Sequence, residues 1–518
     1  MMGSDRWMLP AVALFGSLLV LFSTSLGIGF NVDSKVYLEG AEQLSTSATY
    51  QGFDPWTGKI SPITRWPPGT SIVLTPFVSK GQRPDIPLRI FYAAMFFLNI
   101  TAFSLVLSHL IQARYIALLL IFLFTTHYSV VSVHFGVYSE PFFLFCTFLG
   151  LHFFFRHLEQ DRSWLLYTSA ILIGLSTLFR YAGLFTIGGF ILYYGYAFLV
   201  GKGSAFKKGV IFCSIALLPF VIWSVRNWLI AGEFSGREIM AYGNELLQLR
   251  RTIAHVTRWI NPFLTESIWS KAFKVGALLL LAYVSQPYLK AFISKHVDHK
   301  NNHHTQRIFL LIALMPAYLT GYLLHIYFLD PTATSDERTL LPLGIYALLL
   351  YGGFYHHRDG LPNRTLLRRW VGSAMLFFVI AVNFWYTLQN IAGLYQSGIE
   401  LNASKWQQSE ILHQLQAYPK GLKVYSNETA AIYFHTKRTA QLIPEKRSFF
   451  SNRPNADLAA ELKQMKQTLS NGGLVVIFRE YELIRSRWLF SGAELAAMLN
   501  LKVVMEANDG IIYRLLPD

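Results

Sequence analysis

The side chains able to do chemistry lie at the margins of long apolar segments. Asp33 follows the first of these, in GFNVDSKVY, and Glu140 opens another, in YSEPFFLF, with His134 just before it. Arg180 and Tyr181 interrupt LSTLFRYAGL, Arg226 and Asn227 close a further segment, and Arg237 follows in GEFSGRE. Asp330, Asp336 and Arg338 share LDPTATSDERTLLP, and Arg65 stands in ITRWPPGTS. Ionisable groups at such positions are expensive to bury and usually functional. Gathered at one end of a bundle, these acids and arginines would ring a single cavity. The forked guanidinium suits a phosphate group. Arg65, Arg180, Arg226, Arg237 and Arg338, with Tyr181 and Asp336, are therefore the candidates for holding a phosphate-bearing substrate. A carboxylate beside such a site suits general-base activation of a hydroxyl, and Asp33 and Glu140 are the candidates for that work.

Each residue taken singly has a simpler reading. Asp33 could be a solvated boundary residue, and Glu140 could cap the helix it opens. Arg180 and Arg226 could be anchors that reach for the membrane surface, and Trp66-Pro67-Pro68 could be a rigid turn. His296, His299, His303 and His304 lie in one polar loop without the ordered spacing of a metal site. No ligand set in the sequence requires a metal.

The elements that must position these residues are mostly membrane spans. Hydrophobic residues make up 53% of the 518 and charged residues 14%, against about a quarter charged in an ordinary soluble domain. Stretches long and apolar enough to cross a bilayer fall near 7–29, 87–110, 115–135, 139–157, 164–180, 182–200, 209–230, 268–289, 308–329, 339–355 and 370–394. The first has no convincing cleavage site after it and reads as an uncleaved span. Taken alternately, one set of loops holds Arg114, Arg156, Arg162, Lys202, Lys207, Lys208, Lys290, Lys295, Lys300, Arg307, Arg358, Arg364, Arg368 and Arg369, with few acids. The positive-inside rule puts that set, and the N-terminus, in the cytoplasm. Much of the net charge of +15 is thereby topological, and a nucleic-acid partner loses its support. Cys146 and Cys213 both sit in apolar segments, which excludes a disulfide framework.

On the other side lie the loops 30–86 and 231–267, the turn at 330–338 and the C-terminus. A loop of about 50 residues is longer than a connection needs. Read as a helix, its start puts Asp33, Tyr37, Gly40 and Leu44 on one face. Val36 and Ala41 flank that face, and Lys35, Glu39 and Glu42 look elsewhere. Such a helix suits the headgroup plane, with a carboxylate at its membrane end. Residues 395–518 change character. Strand-like runs at 422–426, 474–478, 501–505 and 511–516 alternate with helical patterns at Asp457–Leu469 and Ala493–Leu499, giving a small soluble α/β domain. The domains are thus 1–394, a membrane module with its outer loop, and 395–518. The fold class is an α-helical polytopic membrane protein of about eleven spans with a small α/β domain.

This constellation resembles the GT-C class of integral-membrane glycosyltransferases, and within it the bacterial relatives of protein O-mannosyltransferases and aminoarabinose transferases. The resemblance rests on NVDSKVY, RWPPGTSIVLTPF, YSEPFFLF, LSTLFRYAGLF, LPFVIWSVRNWLIAGEFSGR, DERTLLP and VYSNETAAIYFHTKRTAQLIP, which follow the family's order over most of the chain. It implies a sugar donor on a polyprenyl phosphate and inversion at the sugar carbon. It also implies Asp33 as the base, Glu140 as the second acid, and Arg338, Arg226 or Arg237 on the lipid phosphate. The acceptor is a lipid, glycan or protein hydroxyl. A divalent metal, used by some members, is possible, and the location implied is a bacterial inner membrane with the C-terminal domain in the periplasm. One departure bears on the acceptor. Protein O-mannosyltransferases carry Asp-Glu where this chain has Asp33-Ser34, which puts a protein acceptor in doubt.

The rival function is a transporter or flippase of lipid-linked sugars, which also needs arginines and acids in a cavity. Against it stand the lack of an internal repeat and the long outer loop. A third possibility, an assembly protein anchored by its spans, does not need so many of them.

Overall fold

A computed structural model of the chain describes residues 7–78, 85–234, 245–259, 303–329, 337–356, 366–449 and 453–516. It divides into two compact units. The first is Met1–Ser23 with Leu88–Tyr395, and the second is Thr24–Pro87 with Gln396–Asp518.

The first unit is helical. Every expected span outside 260–302 coincides with a helix, while the span expected at 268–289 lies outside the described residues. Five of these helices are long and apolar enough to cross a membrane: Asp85–Ser108, Glu140–Gln160, Gly203–Ala231, His303–Phe328 and Trp370–Ser397. Met8–Ser23, Ser163–Thr177, Gly183–Leu199 and Arg338–Phe354 are shorter apolar helices. The span expected at 115–135 is not one rod. It is Arg114–Thr126 followed by Tyr128–His134, bent by 62°, because His127 takes an extended conformation between them. Arg180 sits in the break that separates Ser163–Thr177 from Gly183–Leu199.

Small residues let these helices approach. A Cβ on Gly174 would stand 2.7 Å from the Ala216 carbonyl oxygen, so Ser163–Thr177 lies directly against the backbone of Gly203–Ala231. Aromatic rings fill the interior, with Phe190 against Phe212 at 4.3 Å and against Phe154 at 5.0 Å. Charges collect at the helix ends. At one end Arg307 pairs with Glu159 and donates to the His109 carbonyl, and Lys208 pairs with Asp161. The alternation of charge put Arg307 and Lys208 in one set of loops. At the other end of Glu140–Gln160 is the Glu140 cluster described below. The two ends are about 28 Å apart at 1.5 Å per residue, close to the thickness of a hydrocarbon core.

The second unit joins two distant stretches of chain. Strands β1 (Gln51–Asp54) and β2 (Lys59–Pro62) form an antiparallel hairpin. Strands β3 (Val424–Ser426), β4 (Gln441–Leu442), β5 (Leu474–Phe478), β6 (Leu501–Glu506) and β7 (Gly510–Leu515) form a mixed sheet in the order β4-β3-β5-β7-β6. Strand β3 runs parallel to β4 and β5, and β7 runs antiparallel to β5 and β6. The four expected runs are β3, β5, β6 and β7, and the expected helices are Leu458–Ser470 and Gly492–Leu499. The two-residue β4 has no periodicity to reveal it.

Where the sequence reading placed the outer loop in the membrane module, its contacts group it with 396–518. Phe30 enters the core of the α/β domain beside Leu401, Ile432 and Phe434, its ring 4.4 Å from that of Phe434. Leu442 donates its N–H to the Pro55 carbonyl, and the Trp56 indole donates to Glu445. In the helix Val32–Ser47, Lys35 and Glu39, which the sequence set apart from the Asp33 face, are buried and paired at 3.3 Å. Lys35 lies over the rings of Phe53 and Tyr433. The helix has protein, not solvent, on that side.

Candidate active site

Asp33 stands in the first turn of the helix Val32–Ser47, where the exposed N–H groups of the helix start favour a negative charge. The turn is held by a capping box. Asn31 Oδ1 accepts the Ser34 N–H, and Ser34 Oγ accepts the Asn31 N–H, both at 3.1 Å. Asp33 is half-buried, and the Trp66 indole N–H donates to Asp33 Oδ1 at 2.9 Å. Trp66 is itself fixed. The Tyr50 hydroxyl donates to its carbonyl at 3.1 Å, and Tyr50 packs where Gly40 leaves room, since a Cβ there would meet the ring at 2.5 Å. RWPP, which could have been a rigid turn and nothing else, thus orients a carboxylate. Arg65 stands next in the chain to Trp66. Burial raises the Glu445 carboxyl above its usual range, and the Trp56 indole, the Phe449 N–H and the Arg65 charge each pull it back.

The first unit holds a separate constellation. Glu140, at the start of its helix, is 3% exposed and pairs with Arg180 Nη1 at 2.6 Å and with Arg338 Nε at 3.7 Å. Arg180 also donates to Ser139 Oγ at 3.3 Å, and the Arg338 guanidinium lies 4.6 Å over the Tyr138 ring. The Tyr138 carbonyl accepts from the Tyr92 hydroxyl at 2.9 Å. The two arginines are 22% and 24% exposed. A buried carboxylate therefore steadies two guanidiniums that keep accessible surface, an arrangement suited to an oxyanion. Nearby in sequence terms, Tyr181 and Arg226 are linked through Trp223. The Trp223 indole donates to the Tyr181 hydroxyl at 2.9 Å, and Arg226 lies 4.9 Å over the Trp223 ring while donating to Asn227.

Of the residues singled out from sequence, Glu140, Arg180 and Arg338 come together, as do Tyr181 and Arg226. Asp33 and Arg65 belong to the second unit. Arg237 and Asp336 lie outside the described residues. Sequence reasoning missed the aromatic partners Trp66, Tyr138 and Trp223. Their signal was present, since each stands within three residues of a candidate charge. Among the described residues, no group of three or more His, Cys, Asp or Glu side chains is placed to hold a metal ion.

No protein-family model and no curated protein sequence matches the chain. Solved structures do. ArnT from Cupriavidus metallidurans in the apo state aligns with a TM-score of 0.58 at 13% identity, covering 98% of each chain. The same protein bound to undecaprenyl phosphate aligns at 0.54 and 12% identity over 100% of each. Arabinofuranosyltransferase AftD from Mycobacteria aligns at 0.57 and 14% identity, over 100% of this chain and 40% of its own. The oligosaccharyltransferase AglB from Archaeoglobus fulgidus, in complex with an inhibitory peptide and a dolichol-phosphate, aligns at 0.53 and 12% identity, over 93% and 70%. At such identities the shared property is the path of the backbone, and by that path the chain has the fold of the GT-C class of membrane glycosyltransferases.

Proposed function

We propose that this protein is a membrane glycosyltransferase that moves a sugar from a polyprenyl-phosphate donor to a hydroxyl acceptor, with inversion, at the non-cytoplasmic face of a bacterial inner membrane. In this reading the N-terminus is cytoplasmic and the α/β domain periplasmic. The observation that carries the reading is the agreement of fold over 98% of both chains with ArnT, a protein also solved with undecaprenyl phosphate bound. AglB, which shares the fold, carries a dolichol-phosphate.

The residue roles follow from chemistry. The acceptor oxygen attacks the anomeric carbon, its proton passes to Asp33, and the bond to the phosphate oxygen breaks with its electron pair remaining on the lipid phosphate. That phosphate leaves well only if its growing charge is matched, which Arg180 and Arg338 are suited to do. Glu140 acts through them as a positioning residue, consistent with its burial in their ion pairs. Trp66 orients the Asp33 carboxylate toward the acceptor. Arg65 and Arg226, with Tyr181, are further donors for the phosphate or sugar, and Arg237 and Asp336 complete the proposed set. The acceptor is a lipid, glycan or protein hydroxyl.

The test is transfer of radiolabelled sugar in membranes holding the wild-type chain or Asp33→Asn. A general base contributes on the order of 10²–10⁴ in rate, so the amide should lose transfer by about that factor while donor binding persists. Full activity in the variant would remove Asp33 from the reaction. Failure of both proteins across a panel of prenyl-phosphate sugars would turn the reading toward a transporter of such lipids.

A further inference from the structure

We propose that Leu483 and Ile484 form an apolar lip of the second unit that dips into the surface of the bilayer, with Arg487 at the level of the phospholipid headgroups.

A single exposed leucine is ordinary on any protein surface, so placement has to carry the case. The chain passes between the two units three times, at Ser23–Thr24, Pro87–Leu88 and Tyr395–Gln396. Each passage continues an apolar helix: Met8–Ser23, Asp85–Ser108 and Trp370–Ser397. Inside the second unit these passages are bonded to one another. The Ile28 N–H donates to Asp85 Oδ1 at 2.9 Å, Asn402 Nδ2 donates to the Ile28 carbonyl at 2.5 Å, and the Leu401 N–H donates to the Phe30 carbonyl at 3.2 Å. Three tethers knitted together mark one end of this unit as the end next to lipid.

The lip is joined to the stretch of chain just past the last tether. Lys405 and Trp406, a few residues past the last tether, hold the short helix Arg479–Ile484. Lys405 Nζ pairs with Glu480 at 2.7 Å, and the Trp406 ring lies 6.0 Å from that of Tyr481. Leu483 is 81% exposed and Ile484 59%. The acids of the helix are engaged by protein, Glu480 by Lys405 and Glu482 by the Gly492 N–H. Arg485 turns inward to Glu428 and to the Asn427 carbonyl. Arg487 stays exposed, its guanidinium 5.8 Å from the Trp488 ring. Adjacent apolar tips with an exposed arginine beside them are what an interfacial contact requires: the tips enter the acyl boundary, and the cation meets phosphate. Because the tethers already hold the unit at the membrane, lipid is the partner always within reach.

The experiment uses the full chain in lipid nanodiscs. Leu483→Cys and Ile484→Cys are each labelled with an environment-sensitive fluorophore, and Lys466→Cys, on the exposed face of Leu458–Ser470, is the control. The parent chain, whose Cys146 and Cys213 lie in apolar helices, gives the labelling background. Labels at 483 and 484 should emit to the blue of the label at 466. They should also lose intensity when the nanodisc contains phospholipid with a nitroxide high on its acyl chain, while the label at 466 does neither. Emission at both positions matching that at 466 would overturn the proposal. So would a blue shift without nitroxide quenching, since the cover would then be protein, a second copy of the chain included.

Discussion

The pair Lys35–Glu39 is an expensive arrangement within two helical turns of Asp33. Both side chains are buried, and Glu39 also accepts the Phe53 N–H. Burial raises the Glu39 carboxyl above its usual range, although Lys35 and the Phe53 N–H oppose it. The raised value means that the folded state favours the protonated form. The stability linked to this group is therefore fully present below the ordinary carboxylate range and is lost as pH rises through the raised value. Glu39→Gln should flatten that part of the pH dependence of thermal unfolding, measured on the purified chain in detergent. Removing one partner of a buried pair costs about 3–5 kcal/mol, so Lys35→Met and Glu39→Gln should each lower the unfolding temperature clearly. Lys35→Met with Glu39→Gln should cost less than the sum of the single changes. Strict additivity would mean that the two residues are not a pair.

Elements in the first unit are held by close helix contact, which makes their small residues sensitive. Gly174 is the sharpest case, because its neighbour is the backbone of Ala216 and not a movable side chain. Overpacking a tight contact costs about 1–3 kcal/mol, and a carbonyl cannot rotate away. Gly174→Val should therefore reduce the yield of folded protein on size-exclusion chromatography, whereas Gly195→Val, where a Cβ meets nothing within 4 Å, should not. Equal yields would show that the two helices tolerate separation. The same sensitivity holds for the helix that carries Asp33, whose Gly40 lies against Tyr50 and Ser71.

For the whole molecule the consequence of the second unit is interdependence. The stretch 24–87 takes its core partner Phe434, its Glu445 contact and its β4 contact from beyond residue 396. Truncation after Tyr395 should therefore unfold the segment that holds Asp33. The expected result is loss of transfer together with protease sensitivity within 24–87 in a chain that still inserts into membranes. Retained transfer by the truncated chain would sink this dependence.

Hydropathy is local and additive along the chain, and so the sequence by itself determined where the apolar helices of the described residues fall and four of the five strands of the mixed sheet. The break at His127 escaped it, since one extended residue leaves an apolar average unchanged. What only the tertiary structure decided is who meets whom. Glu140 finds Arg180 and Arg338 across 40 and 198 positions of sequence, and Trp56 finds Glu445 across 389. Helical periodicity set Lys35 and Glu39 apart from the Asp33 face but left their burial open, because it describes a face and not what covers it. The cover here comes partly from Tyr433, nearly four hundred residues away. Pairings of that range depend on how whole elements pack, and no window of sequence contains both partners.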